Sequence, residues 1–140
     1  PFFLSPIPEG NSVDAALAAS WAPGETRAIE VPMTTLAALI ELAEVERIDL
    51  LKVDIEGSEY AVLPTIDADL APRIAQINVE FHDFSAPAWR PLTEACIAHL
   101  NALGYGLAAR GTELRHGSPY FDCHFWREDA AGSGSQLSRP

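Results

Sequence analysis

The sequence predicts an α/β domain in which parallel strands are followed by a terminal antiparallel hairpin. Five of the eight residues at 48 to 55 are aliphatic, which is typical of a strand covered by helices on both faces. A second strand is predicted at 74 to 81 after an intervening helix, the spacing of a right-handed crossover between parallel strands. Residues 105 to 110 and 120 to 127, joined by a loop that contains glycine and proline, predict the two hairpin strands.

Length and composition fit one soluble domain with a buried core. The chain has 140 residues, of which 48% are hydrophobic. Its net charge of −11 argues against binding to nucleic acid or to an anionic membrane surface. No apolar run reaches the roughly 18 residues that a membrane span requires. Cys96 and Cys123 lack the spacing of a disulfide framework or a metal site, so we expect a reducing, cytoplasmic location.

The first third of the chain predicts only short elements. Prolines and glycines interrupt residues 1 to 30, leaving a short helix near 13 to 19 and a brief strand at 27 to 31. Thr34 or Thr35 is expected to cap the next helix. The inward face of that helix is predicted to consist of Leu36, Leu39, Ile40 and Ala43.

The remaining elements follow from turn and periodicity signals. Gly57 ends the strand at 48 to 55, and Ser58 is expected to cap a short helix that Pro64 limits. The strand at 74 to 81 alternates apolar and polar side chains, so one face is predicted to be core. A helical stripe at 91 to 103 ends before Gly104. Its apolar members are Leu92, Cys96, Leu100 and Leu103.

Acidic residues and one histidine follow the two predicted parallel strands. Asp54 and Glu56 follow one strand, and Glu80, His82 and Asp83 follow the other. Because ligands bind beyond the carboxyl ends of such strands, we expect these groups to face one cleft. They could orient a cationic or hydroxylated ligand, hold a divalent cation or supply a general base. The spacing does not choose among these, and no metal ligand is assigned.

Individual residues have structural as well as functional interpretations. His82 is the best base candidate because its ordinary pKa near 6.5 leaves it largely neutral at pH 7. From pattern alone, a loop histidine satisfied by solvent or backbone is favoured. Lys52 is expected to form an ion pair with Glu80 or Glu56 rather than to act in catalysis. Glu56 and Glu59 could simply stabilise the start of a helix.

Residues 48 to 63, Ile-Asp-Leu-Leu-Lys-Val-Asp-Ile-Glu-Gly-Ser-Glu-Tyr-Ala-Val-Leu, closely resemble the central signature of the FkbM family of S-adenosylmethionine-dependent methyltransferases. The likeness spans residues 31 to 126. It continues in Thr35-Leu36, in Asn78-Val79-Glu80-Phe81-His82 and in Leu103-Gly104-Tyr105.

The resemblance implies the C-terminal half of a class I (Rossmann-like) methyltransferase fold, containing the fourth to seventh strands of the sheet. It implies an O-methyltransferase that uses S-adenosylmethionine on a hydroxyl of a small metabolite, sugar or lipid-like acceptor. His82 would be the base, Asp54 would lie near the methyl-transfer centre, and Glu80 would orient groups there or bind a metal. Asp54 and, more weakly, Glu56 would face the cofactor.

The sequence departs from the family in lacking its opening half, the strand and the acidic, glycine-rich turn that hold most of the cofactor. Because the chain also begins with Pro1, we expect a fragment: a partial domain at 1 to 128 and a flexible tail at 129 to 140. The isolated chain is expected to be inactive. Its strand at 48 to 55 would leave a sheet edge open to self-association. The alternative is a non-catalytic fragment that acts only by associating with a partner chain.

Overall fold

The computed structural model describes residues 1–22, 24–84, 87–110, 120 and 122–127. The predicted tail at 129 to 140 lies outside these residues. The helices and strands, in chain order, are β1 (Phe2–Leu4), α1 (Ala15–Trp21), β2 (Arg27–Ile29), α2 (Leu36–Leu42), β3 (Leu51–Val53), α3 (Glu59–Val62), β4 (Gln76–Glu80), α4 (Arg90–Ala102), β5 (Tyr105–Arg110) and β6 (Asp122–Arg127). None of the described helices is long and apolar enough to cross a membrane.

A four-strand mixed sheet with the order β3-β4-β6-β5 forms the centre of the molecule. Strands β3 and β4 are parallel, with Lys52 opposite Asn78. Strand β6 is antiparallel to both of its neighbours, β4 and β5. The α/β class and the sequence of a parallel pair followed by an antiparallel hairpin are therefore confirmed.

The core lies on one face of this sheet, as the alternation in β4 predicts. Ile77 and Val79 are buried, whereas the intervening Asn78 is half-buried. Cys96 and Leu100 of α4 pack into the same core. The buried side chains exclude water from the sheet and fix the register of β4, on which the positions of Glu80 and His82 depend.

Strand β3 differs from its prediction. Only Leu51–Val53 form the strand, and β4 is its one neighbour among the described strands. The strand is therefore an edge strand of the described sheet. Leu50 and Ile55, which flank it, are 54% and 39% exposed, so the aliphatic run is not covered on both faces. A mainly aliphatic segment indicates that its side chains are buried, but it does not specify which element covers them.

Helix α2 packs beside this edge. Thr35 is its N-cap, as predicted, and accepts a hydrogen bond from the backbone N–H of Ala38 over 3.1 Å. The predicted inward face is only partly right: Ile40 is buried and Leu36 half-buried, whereas Leu39 and Ala43 are exposed. Leu39 instead lines an open pocket of about 220 Å³ between α2 and β3.

The N-terminal segment forms a separate two-strand sheet and a short helix. Strand β1 pairs with β2 in antiparallel fashion, with Phe3 opposite Ala28. Asp14 caps α1 by accepting hydrogen bonds from the N–H groups of Ala16 and Leu17, over 2.8 and 2.9 Å. This segment touches the loop after β3 through Ser12, so it reaches the candidate site.

Candidate active site

Acidic groups meet at the carboxyl edge of the parallel strands. Asp54 directly follows β3, Glu80 ends β4, and His82 lies two residues further on. One oxygen or nitrogen atom from each side chain lies within 4.8 Å of those of the other two. The side chain of Asp54 is 34% exposed and that of Glu80 is 22% exposed, whereas His82 is buried. The three predicted site residues therefore come together beside solvent.

The two ring nitrogens of His82 have different surroundings. Nδ1 lies 3.0 Å from Glu59 Oε1. Nε2 lies 3.3 Å from Glu56 Oε2 and 3.9 Å from Glu80 Oε1. Burial by itself lowers the pKa of His82, but the hydrogen bond to Glu59 and the nearby carboxylates outweigh it, so the pKa is raised. His82 is therefore a stronger base than an ordinary histidine and is unprotonated only at higher pH.

Glu59, the first residue of α3, is fully buried and was not among the predicted site residues. Its Oε1 atom accepts hydrogen bonds from the backbone N–H of His82, over 2.9 Å, and from the His82 ring. Its Oε2 atom accepts one from the backbone N–H of Gly57, over 2.9 Å. The interpretation of Glu59 as a helix-start residue alone is therefore incomplete. Ser58, expected to cap α3, makes no capping side-chain hydrogen bond.

Glu56 occupies a backbone conformation that is unusual for its residue type. Its φ is 49°, and the following Gly57 has φ of 92°. Burial raises the pKa of Glu56, and the nearby charge of His82 partly opposes this. Within the described residues, the buried Glu56 Oε2 has no hydrogen-bond partner, although the His82 ring lies close by. Glu56 thus faces His82 more directly than it faces solvent.

Lys52 pairs with Asp54, so the predicted pairing with Glu80 or Glu56 is wrong. Lys52 Nζ lies 2.6 Å from Asp54 Oδ2. Side chains two residues apart in a strand point to the same face, which brings these two together. The hydrogen bond to Asp54 is the main cause of the raised pKa of Lys52. Burial, and then the charge of Asp54, raise the pKa of Glu80.

Asp83 does not join the cluster that the sequence predicted for it. Its side chain is fully buried and forms an ion pair with Arg90 at the start of α4. A buried carboxylate requires such a partner, and this one anchors α4 to the end of β4. Asp83 therefore has a structural explanation.

A group of aromatic side chains packs next to the turn after β3. The Tyr60 ring stacks near Phe81 at a centroid distance of 6.0 Å and meets the edge of Trp89 at 5.5 Å. The Phe84 ring lies 5.5 Å from the His82 ring. Of these rings, Phe84 packs beside the buried imidazole of His82.

The partly exposed carboxylates suit a cationic group. Asp54 and Glu80 would attract a sulfonium or ammonium ion, and carboxylate oxygens are also suitable ligands for divalent cations. The Lys52 ammonium already offsets the charge of Asp54.

Comparisons with known proteins identify the family to which the chain belongs. Residues 4–107 match the Methyltransferase FkbM domain, so the chain belongs to the FkbM methyltransferase family. It is also 32% identical over 88 residues to the AMB antimetabolite synthetase AmbE of Pseudomonas aeruginosa. That alignment covers 63% of this chain and 4% of AmbE, a much longer protein. The comparison with solved structures found no significant match.

Proposed function

We propose that this chain is the C-terminal half of the catalytic domain of an S-adenosylmethionine-dependent O-methyltransferase that acts on a hydroxyl of a small metabolite, sugar or lipid-like acceptor. Membership of the FkbM family supports methyl transfer and a Rossmann-like fold. The observation that carries the rest is the convergence of Asp54, Glu80 and His82 at the carboxyl ends of β3 and β4. Strands β3 to β6 would be the fourth to seventh strands of the complete sheet.

The cluster fits the charge of the cofactor. When bound, S-adenosylmethionine supplies a methyl group on a positively charged sulfur; the acceptor oxygen bonds to the methyl carbon from the opposite side, and the sulfur leaves as a neutral thioether. The Asp54 carboxylate, a third exposed, would face that positive charge. Glu56 would contribute less, because its carboxylate is mostly buried against His82.

His82 would take the proton that the acceptor hydroxyl loses. Its Nε2 atom is the nitrogen that faces Glu56 and Glu80, while Nδ1 is bonded to Glu59. Glu80, within 4 Å of Nε2 and partly exposed, would orient the acceptor hydroxyl. A positioned base contributes on the order of 10²- to 10⁴-fold to the rate of such a step.

The test is methyl transfer by the natural protein that carries this chain. It would be incubated with S-adenosylmethionine and a panel of sugars, hydroxy acids and long-chain alcohols, and S-adenosylhomocysteine and the methylated product would be measured. We expect an O-methylated product from at least one class of acceptor. Methylation at nitrogen or carbon only, or turnover unchanged in His82→Gln, would contradict the proposal.

A second candidate function is association with a partner chain, and the exposed edge of β3 favours it. Leu39, Leu50 and Ile55 expose apolar surface beside a strand whose outer hydrogen-bonding groups face away from β4. Light scattering over a concentration series would show whether the chain self-associates. Replacement of Leu50 by lysine should then weaken the association, and a monomer at every concentration would exclude self-association through this edge.

A further inference from the structure

We infer that Glu59 is a positioning residue that holds His82 in the tautomer with its proton on Nδ1, leaving Nε2 as the atom that accepts the substrate proton. This inference deepens the proposed function and rests on it for the role of His82. Glu59 itself touches neither acceptor nor cofactor, because it is fully buried behind the imidazole.

The hydrogen-bond chemistry assigns the tautomer. Both oxygens of Glu59 accept backbone N–H groups, Oε1 from His82 and Oε2 from Gly57, which is the bonding pattern of a carboxylate with no hydrogen to donate. Both atoms that contact Oε1 are then donors. One is the backbone N–H of His82 and the other is its Nδ1 atom, at 2.9 and 3.0 Å. A neutral imidazole carries one ring proton, so a donor at Nδ1 leaves a lone pair at Nε2.

Two bonds to one residue also fix the direction of the ring. The backbone contact places Glu59 Oε1 beside His82, and the ring contact then restricts rotation of the imidazole about its side-chain bonds. Both residues are buried, with 1% of the His82 side chain and none of the Glu59 side chain exposed. Water therefore cannot replace the carboxylate as a partner for Nδ1.

The other oxygen of Glu59 connects His82 to the neighbouring strand. Oε2 binds the N–H of Gly57, which immediately follows Glu56 in the turn after β3. One carboxylate thus fixes the end of β4 relative to that turn. The titratable groups that surround the ring are Glu59 of α3, Glu56 of the turn, Glu80 of β4 and Asp54 after β3.

The test is the tautomer and titration of His82, read from the ¹⁵N shifts of its ring by nuclear magnetic resonance in the natural protein that carries this chain. In the unmodified protein above the titration midpoint, we expect Nδ1 to be protonated and Nε2 to be unprotonated. An Nε2–H tautomer would overturn the inference without any variant.

Glu59→Gln provides the second measurement. Its amide can present either a carbonyl or an N–H group to Nδ1 and carries no charge. We therefore expect both tautomers to be populated and the His82 midpoint to move to lower pH. The matched control is Glu94→Gln on the exposed surface of α4, which should change neither. An unchanged tautomer and midpoint in Glu59→Gln would contradict the inference.

These measurements need no substrate, so they separate the two claims. If His82 shows the expected tautomer but His82→Gln retains full methyl transfer, the proposed base role fails and the positioning inference stands as structural chemistry. If His82→Gln abolishes transfer while the ring carries its proton on Nε2, the inference about Glu59 fails alone.

Discussion

Ser12 donates its hydroxyl hydrogen to the carbonyl oxygen of Glu56 over 2.5 Å, across 44 residues of sequence. The same oxygen of Ser12 accepts a hydrogen bond from the N–H of Asp14 over 3.0 Å. Glu56 has a positive φ, a conformation that surrounding contacts must maintain. The N-terminal segment therefore helps to hold the turn that carries Glu56 and Gly57 against His82.

Replacement of Ser12 by alanine should destabilise the protein. The substitution leaves the Glu56 carbonyl and the Asp14 N–H without their buried partner, which costs about 1 to 3 kcal/mol of unfolding free energy. Urea denaturation would measure it. The control is Ser5→Ala, since the Ser5 hydroxyl accepts an exposed hydrogen bond from the backbone N–H of Ile7. Equal losses of unfolding free energy in the two variants would show that the Ser12 hydrogen bonds do not stabilise the protein more than the exposed one.

Gly57 should tolerate alanine poorly. Its φ of 92° disfavours any side chain, and an added Cβ would lie 3.1 Å from the Trp89 ring and 3.2 Å from Leu17. The conformational part costs roughly 1 to 2 kcal/mol, and crowding adds about 1 to 3 kcal/mol. Gly24→Ala is the matched control, with φ of 84° and, apart from its chain neighbours, no atom of the described residues within 4 Å of the added Cβ. Thermal unfolding should therefore show a clearly larger loss of stability for Gly57→Ala than for Gly24→Ala. Equal losses would contradict the prediction that crowding by Trp89 and Leu17 adds to the cost.

The stability of the protein should fall as pH rises from mildly acidic to mildly alkaline values. The raised pKa of His82 contributes stability that is present below about 6.5 and is lost as pH rises through its folded pKa. The raised pKa values of Glu56 and Glu80 act in the same direction above 4.5, since folding favours their protonated forms.

Urea denaturation at a series of pH values would measure this dependence. His82→Gln should flatten the part of the curve above pH 6.5, because its side chain does not titrate. His99→Gln is the matched control, because the His99 ring on α4 contacts the backbone carbonyl oxygen of Ile66 through Nε2 and not a carboxylate of the cluster. If His82→Gln keeps the slope of the unmodified protein, the raised pKa of His82 is not its source.

The sequence predicts the meeting of Asp54, Glu80 and His82 because it depends on local signals. Two aliphatic strands with a crossover must be parallel neighbours, and the residues after them then share one edge. The burial of Glu59 depends on its contact with His82, which lies 23 residues further along the chain, and no local pattern encodes that contact. The one available signal was Gly57, whose left-handed backbone turns the chain so that Glu59 can reach back to its N–H.

Errors concentrate where the tertiary surroundings decide the outcome. An aliphatic run at 48 to 55 predicts a covered strand, yet Leu50 and Ile55 are exposed at the sheet edge. Asp83 is acidic, like the residues near it that the sequence places in the cluster, but it forms an ion pair with Arg90 instead. Charge pairs formed between separate elements cannot be chosen from spacing alone.

The pH dependence of methyl transfer tests the central claim most directly, since a base must be unprotonated to act. In the natural protein that carries this chain, kcat should rise with pH through the raised pKa of His82 and then level off. His82→Gln should lower kcat by about 10²- to 10⁴-fold and remove that rise, while His99→Gln retains both. A rise of the same size and midpoint in His82→Gln would contradict the assignment of His82 as the base.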